Sequence, residues 1–285
     1  MDLRVRILIV IVTMLTVIGG ITYDSYFNAP SRFTVRHETL DSAVIPKQMD
    51  EVNILFFSDL HYGTFMDKER ASLLIDEINH TSPDIVIFGG DLLDKQISSA
   101  EADALVELLG QIKAPLGKFA VYGDYDHQSD QILNQVNNIY TRSTFEILNN
   151  RSIIVRNKGS QGITLVGIDS SYKGEPDVTA AFYSVSPLSY TIAVSHTPDT
   201  AAYIPGEKTN LFLAGHSHGG QINYLVGSAY NPPGSQKYFS GKTNVDNQYT
   251  IDITDGVGTT ITDVRFLTNA EIVVYQLNHK SMDTQ

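Results

Sequence analysis

The sequence predicts an α/β fold of mixed sheets in one domain, preceded by an N-terminal membrane helix. Three observations carry this. Short apolar runs alternate with amphipathic helical periods after Glu51, the second half becomes strand-rich, and the chain opens on a charge-free stretch behind two arginines. The length of 285 residues suits one large core that needs no covalent staples.

Arg4 and Arg6 precede Ile7 to Tyr23, seventeen residues without a charge. As a helix that run would span about 25 Å, just short of a hydrocarbon core of roughly 30 Å. Residues 1–23 therefore read as a short signal anchor. A cleaved signal peptide ranks second, because Gly20-Ile21-Thr22 is a poor cleavage site, and a buried core helix ranks third. The positive-inside bias keeps Arg4 and Arg6 in the cytoplasm. The expected location is the cell membrane, single-pass, with the main domain extracytoplasmic.

Residues 24–50, with Pro30 and Pro46 and weak alternation at Phe33 and Val35, read as a stalk and a short edge element. Residues 51–279 form the main domain and 280–285 a tail. Val52 to Phe57 and Asp84 to Phe88 are buried-strand runs. Between them Ala71, Leu74, Ile75 and Ile78 recur at helical spacing, giving a helix over Asp67 to His80. A second helix opens on a capping box, Ser98 with Glu101, and Lys118 to Tyr122 is the next strand. Further strands are expected at Phe145–Leu148, Ile153–Arg156, Ile163–Ile168, Tyr190–Val194, Asn210–Leu213, Tyr249–Ile253 and Glu271–Leu277. Gly227 to Asn247 is rich in Gly, Pro and Asn and shows no periodicity, as functional loops often do.

Composition narrows the chemistry. With no cysteine, the chain can hold no disulfide, iron–sulfur cluster, thiolate zinc site or cysteine nucleophile. A net charge of −12 argues against a nucleic-acid-binding surface. Eight His and 32 Asp plus Glu leave oxygen–nitrogen metal ligation open.

Five apolar strands end in residues that can ligate a metal. They lead into Asp59-Leu60-His61, Gly90-Asp91 with Asp94 just after, Gly123-Asp124-Tyr125-Asp126-His127, Ser195-His196, and Gly215-His216-Ser217-His218-Gly219-Gly220. Ligand sites in α/β sheets form outside the carboxyl ends of strands, which would gather these residues in one place. Taken alone, Asp91 or Asp124 is more often a turn former or helix cap. A lone His such as His80 or His279 is more often a surface residue. The joint pattern is different, because burying three carboxylates together is prohibitive without cations. Seven ligands suit two divalent ions sharing a carboxylate. The donor set favours Mn²⁺ first, with Fe, Zn²⁺ and Mg²⁺ as alternatives. Two such ions can clamp the attacking and leaving oxygens of a displacement at phosphorus, by a metal-held hydroxide.

At these residues the chain resembles the calcineurin-like metallophosphoesterase superfamily, in its bacterial branch with an N-terminal membrane anchor. The family's order is D-x-H, G-D, G-N-H-D/E, a lone His, then G-H-x-H. Asp59-Leu60-His61, Gly90-Asp91, His196 and Gly215-His216-Ser217-His218 match it, and Gly219-Gly220-Gln221 with the later Lys237-Tyr238 and Gly241 match the branch. The resemblance implies a four-layer α-β-β-α sandwich of two mixed sheets. It implies one metal on Asp59, His61, Asp91 and His218, and a second on Asp91, Asp124, His196 and His216, with Asp91 bridging.

The third motif departs from the family. Asp124 stands where the family has Asn, and Tyr125 where it has a His that steadies the transition state or protonates the leaving oxygen. An added carboxylate tightens hard-cation binding but repels an anionic substrate. A phenol donates a hydrogen bond yet holds its proton more tightly than imidazolium. Tyr125 is therefore the candidate catalytic residue, with His127 the alternative that could reach the same space or stay a surface residue. The expected activity is hydrolysis of a phosphoester, a diester first, with lipids or lipid-linked envelope intermediates suggested by the anchor. The competing expectation, motivated by Asp124 and Tyr125, is a catalytically impaired metal-containing module that binds phosphate or phospholipid. Tyr172, Tyr183, Tyr224, Tyr230 and Tyr238 either line a pocket or pack.

Overall fold

The structure is a computed structural model that describes residues 2–224 and 227–281. The apolar opening is a single helix, α1 (Leu3–Tyr23), capped by the Asp2 side chain, and none of its residues is buried. Its 21 residues span about 32 Å, because the turn carrying Arg4 and Arg6 is also helical. The helix is longer than the charge-free run because it includes Arg4 and Arg6 in its first turns, where long cationic side chains can snorkel to a membrane interface. The helix continues through a wide turn, Asp24–Asn28, and a tight one, Ala29–Ser31, in which Ser25 and Pro30 are buried.

The elements that follow are β1 (Phe33–Ser42), β2 (Asn53–Phe57), α2 (Lys68–His80), β3 (Ile85–Phe88), α3 (Ser99–Gly110), β4 (Gly117–Ala120) and α4 (Asp130–Arg142). Next come β5 (Phe145–Ile147), β6 (Arg151–Arg156), β7 (Gly162–Ile168), α5 (Val178–Ala181), β8 (Thr191–Ser195) and β9 (Leu211–Ala214). The chain closes with β10 (Asn223–Tyr224), β11 (Gly227–Ser228), β12 (Gly241–Val245), β13 (Tyr249–Ile253) and β14 (Ala270–His279). One six-stranded sheet runs β1-β14-β2-β3-β4-β5, the other β12-β13-β9-β8-β7-β6. Both are mixed. In the first, β2 to β5 are parallel and β14 opposes β2. In the second, β7, β8, β9 and β13 are parallel, with β6 and β12 antiparallel at the edges.

The layers follow from strand periodicity. In the wholly apolar β2, Ile54 and Phe56 enter the core between the sheets, while Leu55 and Phe57 pack under the helices. Leu165, Ile192, Val194, Leu211 and Leu213 answer from the second sheet. Helices α2, α3 and α4 cover the first sheet through Leu74, Ile78, Leu105, Leu109, Val136 and Ile139. The fourth layer is thin, made of α5 and the turn Pro198–Tyr203 over Val166, Ala193 and Phe212.

Most expected elements lie within two residues of their predicted bounds, and the capping box at Ser98 and Glu101 forms in full. Three differences have physical reasons. The edge element read from Phe33 and Val35 is ten residues long and pairs with β14 throughout, because neighbouring β14 supplies the apolar partners. A helix stands at Asp130–Arg142, where no element is expected; its Ser129 cap and its stripe of Ile132, Val136 and Ile139 are diluted by Asn and Gln on the wet face. The aperiodic stretch before Asn247 contains the edge strand β12, polar except for Val245 and held by backbone pairing to β13. Residues 282–285 of the expected tail lie outside the described residues.

Candidate metal centre

The parallel strands of both sheets end at one edge, and their following loops converge there. β2 delivers Asp59 and His61, β3 delivers Asp91, and the loop after β4 delivers Asp124. β8 and β9 deliver His196 and then His216 and His218. Six of these are buried, and His216 is half-buried. All seven sequence-predicted ligands are therefore brought together. Their donor atoms form three overlapping groups, each within 4.8 Å: Asp59, His61 and His218; Asp59, Asp91 and His196; and Asp124, His196 and His216.

The backbone is strained where these side chains arise. Asp59, His61, Asp91, His216 and His218 have φ of +62°, +49°, +59°, +68° and +53°. Left-handed non-glycine residues are uncommon and cluster where the surrounding structure over-determines them. Here the loops are lashed to one another. Asp59 N donates to Gly90 O at 3.0 Å, His61 N to Asp91 O at 3.0 Å, and His216 N to Asp59 Oδ1 at 3.1 Å. Glycine is required at two close approaches: a Cβ on Gly123 would overlap Asp91 Oδ1, and one on Gly215 would overlap Asp59 Oδ2.

The ring nitrogens reveal what the cluster is built to hold. His196 Nδ1 lies 2.8 Å from Gly89 O, His216 Nε2 2.7 Å from Pro233 O, and His218 Nδ1 3.3 Å from Gly258 O. A carbonyl only accepts, so each of these nitrogens donates its proton outward. The other nitrogen of each neutral ring then turns a lone pair inward. It meets further lone pairs there. His196 Nε2 is 3.1 Å from Asp91 Oδ2, His216 Nδ1 is 3.0 Å from Asp124 Oδ2, and His218 Nε2 is 3.2 Å from His61 Nε2. Asp124 Oδ2 and His61 Nδ1 are buried without a hydrogen bond, although a ring nitrogen sits close to the former. Lone pairs crowded together need cations between them, and outward imidazole bonds of this kind are what orient metal-ligating histidines. The donor set of carboxylate and imidazole fits divalent metals.

The electrostatics agree. Burial works against charge on His196, but the Asp91, Asp59 and Asp124 carboxylates push it well above its ordinary value, so without a cation a proton takes the place on Nε2 that a metal would hold. His218 is driven down to about 3 by burial, with His61 and Arg265 adding to the effect. Asp124, despite burial, is held down at about 2 by His216, His196 and Ser170. The cluster demands positive charge in its centre.

The site opens into a cavity of about 350 Å³. His61, Asp91, Asp124, His216 and His218 make its floor. Tyr125, Tyr172, Tyr230, Ile222, Pro233 and Ile261 are among its walls. The Tyr125 ring stands edge-on to His61, 4.6 Å between centroids, and its phenol is pushed upward by burial and by Asp91 and Asp94. His127 is placed differently. It does not line this cavity; its Nε2 is 2.7 Å from Asp169 Oδ1, and its ring packs against Tyr122. Among the tyrosines considered above, Tyr172 and Tyr230 line the cavity and Tyr183, Tyr224 and Tyr238 do not.

Several residues matter here that motif reading assigns no role. Asp126 accepts from Asp91 N and Leu92 N at 3.0 Å each and from Gly123 N at 2.8 Å, tying the third loop to the second. Burial and the Asp91 charge push its carboxyl up to about 7, against the pull of those amides. Asp124 Oδ1 accepts from Ser170 Oγ and, at 3.2 Å, from Lys173 N. Buried Arg265 donates to Asn269, Asp255, Gly256 and Gly258 carbonyls, fixing the loop beneath Asp59 and His218. Gln221 brackets the cavity wall by bonding Thr260 and Thr262. A run of separated acidic residues after a strand hinted at Asp126, whereas Arg265 carries no local signal.

Comparison with known proteins gives a consistent picture. The sequence model of the family described as calcineurin-like phosphoesterase matches residues 52–220. An uncharacterized metallophosphoesterase of Bacillus subtilis, YkuE, is 30% identical over 264 residues, covering 92% of this chain and 91% of that protein. Phosphodiesterase YaeI of Escherichia coli is 28% identical over 72% of this chain and 74% of its own. A transmembrane protein with a metallophosphoesterase domain from Danio rerio is 25% identical over 80% of this chain and 53% of its own.

Proposed function

Because the chain belongs to the calcineurin-like phosphoesterase family, we propose that it is a phosphoester hydrolase working with two divalent ions, manganese foremost, and acting on a diester. One ion would be held by Asp59, His61, Asp91 and His218, the other by Asp91, Asp124, His196 and His216. Bound there, the pair would supply Lewis acidity toward phosphate oxygens and an activated water for in-line attack. In the net reaction water adds to phosphorus, the P–O bond to the leaving alcohol breaks, and a proton reaches the leaving oxygen.

The chain's own residues divide the remaining work. Tyr125, raised above the ordinary phenol range, stays protonated and donates a hydrogen bond to an oxygen on which charge develops. It is a poor proton donor, so ester leaving groups that are already acidic are favoured. Lys173, at the cavity wall, holds its ammonium 5.9 Å from the centroid of the Tyr172 ring, which places a positive charge near the cavity. The helix α1 supports placement at the cell membrane with the main domain extracytoplasmic.

The observation that carries this reading is the inward crowding of lone pairs, three rings with their protons turned outward onto carbonyls. The test is metal analysis of the purified protein followed by a phosphoester panel, with Asp91→Ala as the blank. Turnover of nitrophenyl phosphodiesters with Mn²⁺, and slower turnover of alkyl esters, is expected. Absence of all hydrolysis in the metal-loaded wild type, together with its appearance in Tyr125→His, would favour the binding-module reading instead.

A further inference from the structure

The sheet register fixes where the anchor meets the domain. Phe33, first in β1, pairs with Ala270, first in β14. β14 runs antiparallel to β2, with Val273 opposite Phe56. The start of β1 therefore lies at the carboxyl end of β2, the edge that carries Asp59 and His61. The chain leaves α1 and enters the domain at the catalytic edge.

The foot of α1 is also joined to the cavity wall. Arg265 N donates to Ser25 O at 3.1 Å, and Arg70 bonds Pro30 O. Gly20 and Ile21 share a cleft with Phe266 and Leu267. Phe266 N donates to Gln221 O at 3.0 Å, and Asn223 N to Phe266 O at 2.8 Å. Gln221 and Ile222 line the cavity. One strand spacing, about 5 Å, thus separates the wall beside the helix foot from the wall of the site.

Exposed apolar and aromatic side chains gather around this edge, interspersed with the charged Asp24, Arg32 and Lys173. Ile261 at the cavity rim is 85% exposed, Leu267 59% and Phe27 68%, with Tyr26, Tyr224 and Tyr230 each more than half exposed. Ile261 and Leu267 are held at φ +63° and +54°, conformations that bulky side chains disfavour. Aromatic and aliphatic groups beside a membrane helix are the composition of a bilayer interface. The opposite edge also exposes Val44, Ile154 and Leu188, which line a cleft remote from both the anchor and the cluster.

We propose that the cavity mouth faces the bilayer holding α1, with Ile261, Leu267, Phe27 and Tyr224 resting in its interface, and that the substrate is a phosphoester of a lipid resident in that bilayer. The lipid's phosphate reaches the floor formed by Asp91, Asp124, His61, His216 and His218, while its apolar part stays against Ile222, Ile261 and the tyrosines. This inference rests on the hydrolase reading for its substrate and on α1 as a membrane anchor for its orientation.

The absence of native cysteine makes the orientation directly measurable. Ile261→Cys and Leu188→Cys, each in the full chain, are labelled with an environment-sensitive fluorophore and reconstituted in phosphatidylethanolamine–phosphatidylglycerol vesicles containing a nitroxide lipid. Quenching is expected at 261 and not at 188. In parallel, the full chain is given a diacylglyceryl nitrophenyl phosphate in vesicles and a soluble nitrophenyl phosphodiester. Leu267→Glu should lower turnover of the vesicle-borne ester about tenfold, the order expected for withdrawing one leucine from an apolar phase, and leave the soluble ester unchanged. Leu188→Glu should change neither. Equal quenching at both positions, or none at 261, overturns the orientation. Hydrolysis of the soluble ester with none of the vesicle-borne ester in the wild type overturns the lipid substrate, and unaltered lipid turnover in Leu267→Glu overturns the placing of Leu267 in the interface. Quenching at 261 without hydrolysis of either ester overturns the hydrolase reading, and the lipid substrate with it, but leaves the orientation standing.

Discussion

The two halves of the cluster are built by different means. Around Asp59, His61 and His218 every proposed ligand has a left-handed backbone, and the loop beneath is fixed by the carbonyl bonds of buried Arg265. Around Asp124, His196 and His216 only His216 is left-handed, and the side chains are held by bonds to Ser170 Oγ, Lys173 N and the Gly89 and Pro233 carbonyls. The first half is shaped by the main chain and tolerates little. The second is shaped by side chains, and there the sequence departs from the family pattern. Asp91 touches both, with His61 Nε2 3.5 Å and His196 Nε2 3.1 Å from its Oδ2.

The largest expected difference concerns the paired aspartates. Asp59→Asn removes a charge from the main-chain half, where both carboxylate oxygens already accept His216 N. Loss of the ion it would hold should lower turnover by at least ~10³-fold, since a Lewis acid is worth several kcal/mol. Asp124→Asn restores the family residue but not the family site. Lys173 N can only donate, and with the amide oxygen turned inward as a ligand, the asparagine nitrogen would face it donor to donor. Isothermal titration with Mn²⁺ should show the second ion weakened by ~10–100-fold, the usual cost of disturbing an outer-shell partner. Equal or tighter binding would mean that Asp124 is interchangeable with Asn.

Tyr125→His sharpens the same comparison at the edge of the second half. An imidazole can protonate a leaving oxygen that the phenol cannot. Alkyl diesters should then be cleaved ~10²-fold faster, with little change for nitrophenyl esters. A uniform gain across leaving groups would point to better metal binding rather than proton transfer.

The two halves also differ in how far the sequence alone reveals them. The clustering of the proposed ligands is legible because each follows a strand end and glycine flanks several, so α/β topology brings them together. The long buried strands are legible for the same reason, as short apolar runs. Helix α4 is not, since Ile132, Val136 and Ile139 sit among eight polar residues, six of them exposed. β12 is held by backbone pairing and leaves no side-chain signature. Arg265 and Asp126 act on loops far away in sequence, through contacts that only tertiary folding creates.

The smallest effect separates His127, an imidazole outside the cluster, from those inside it. His127 is raised above its ordinary value chiefly by its hydrogen bond to Asp169, with burial opposing. A raised histidine contributes stability that is fully present below its unfolded value, near 6.5, and is lost as pH climbs through the higher folded value. His127→Gln should therefore cost stability at pH 6 and very little at pH 8.5. The difference is at most ~1 kcal/mol, because the pair is only partly shielded from water. Urea unfolding of wild type and variant at both pH values, at fixed free Mn²⁺, isolates this effect because metal linkage is common to the two proteins. A pH-independent difference would mean that His127 packs without carrying charge. Loss of turnover in the variant at both pH values would instead return His127 to the reacting centre, against its place beside Asp169.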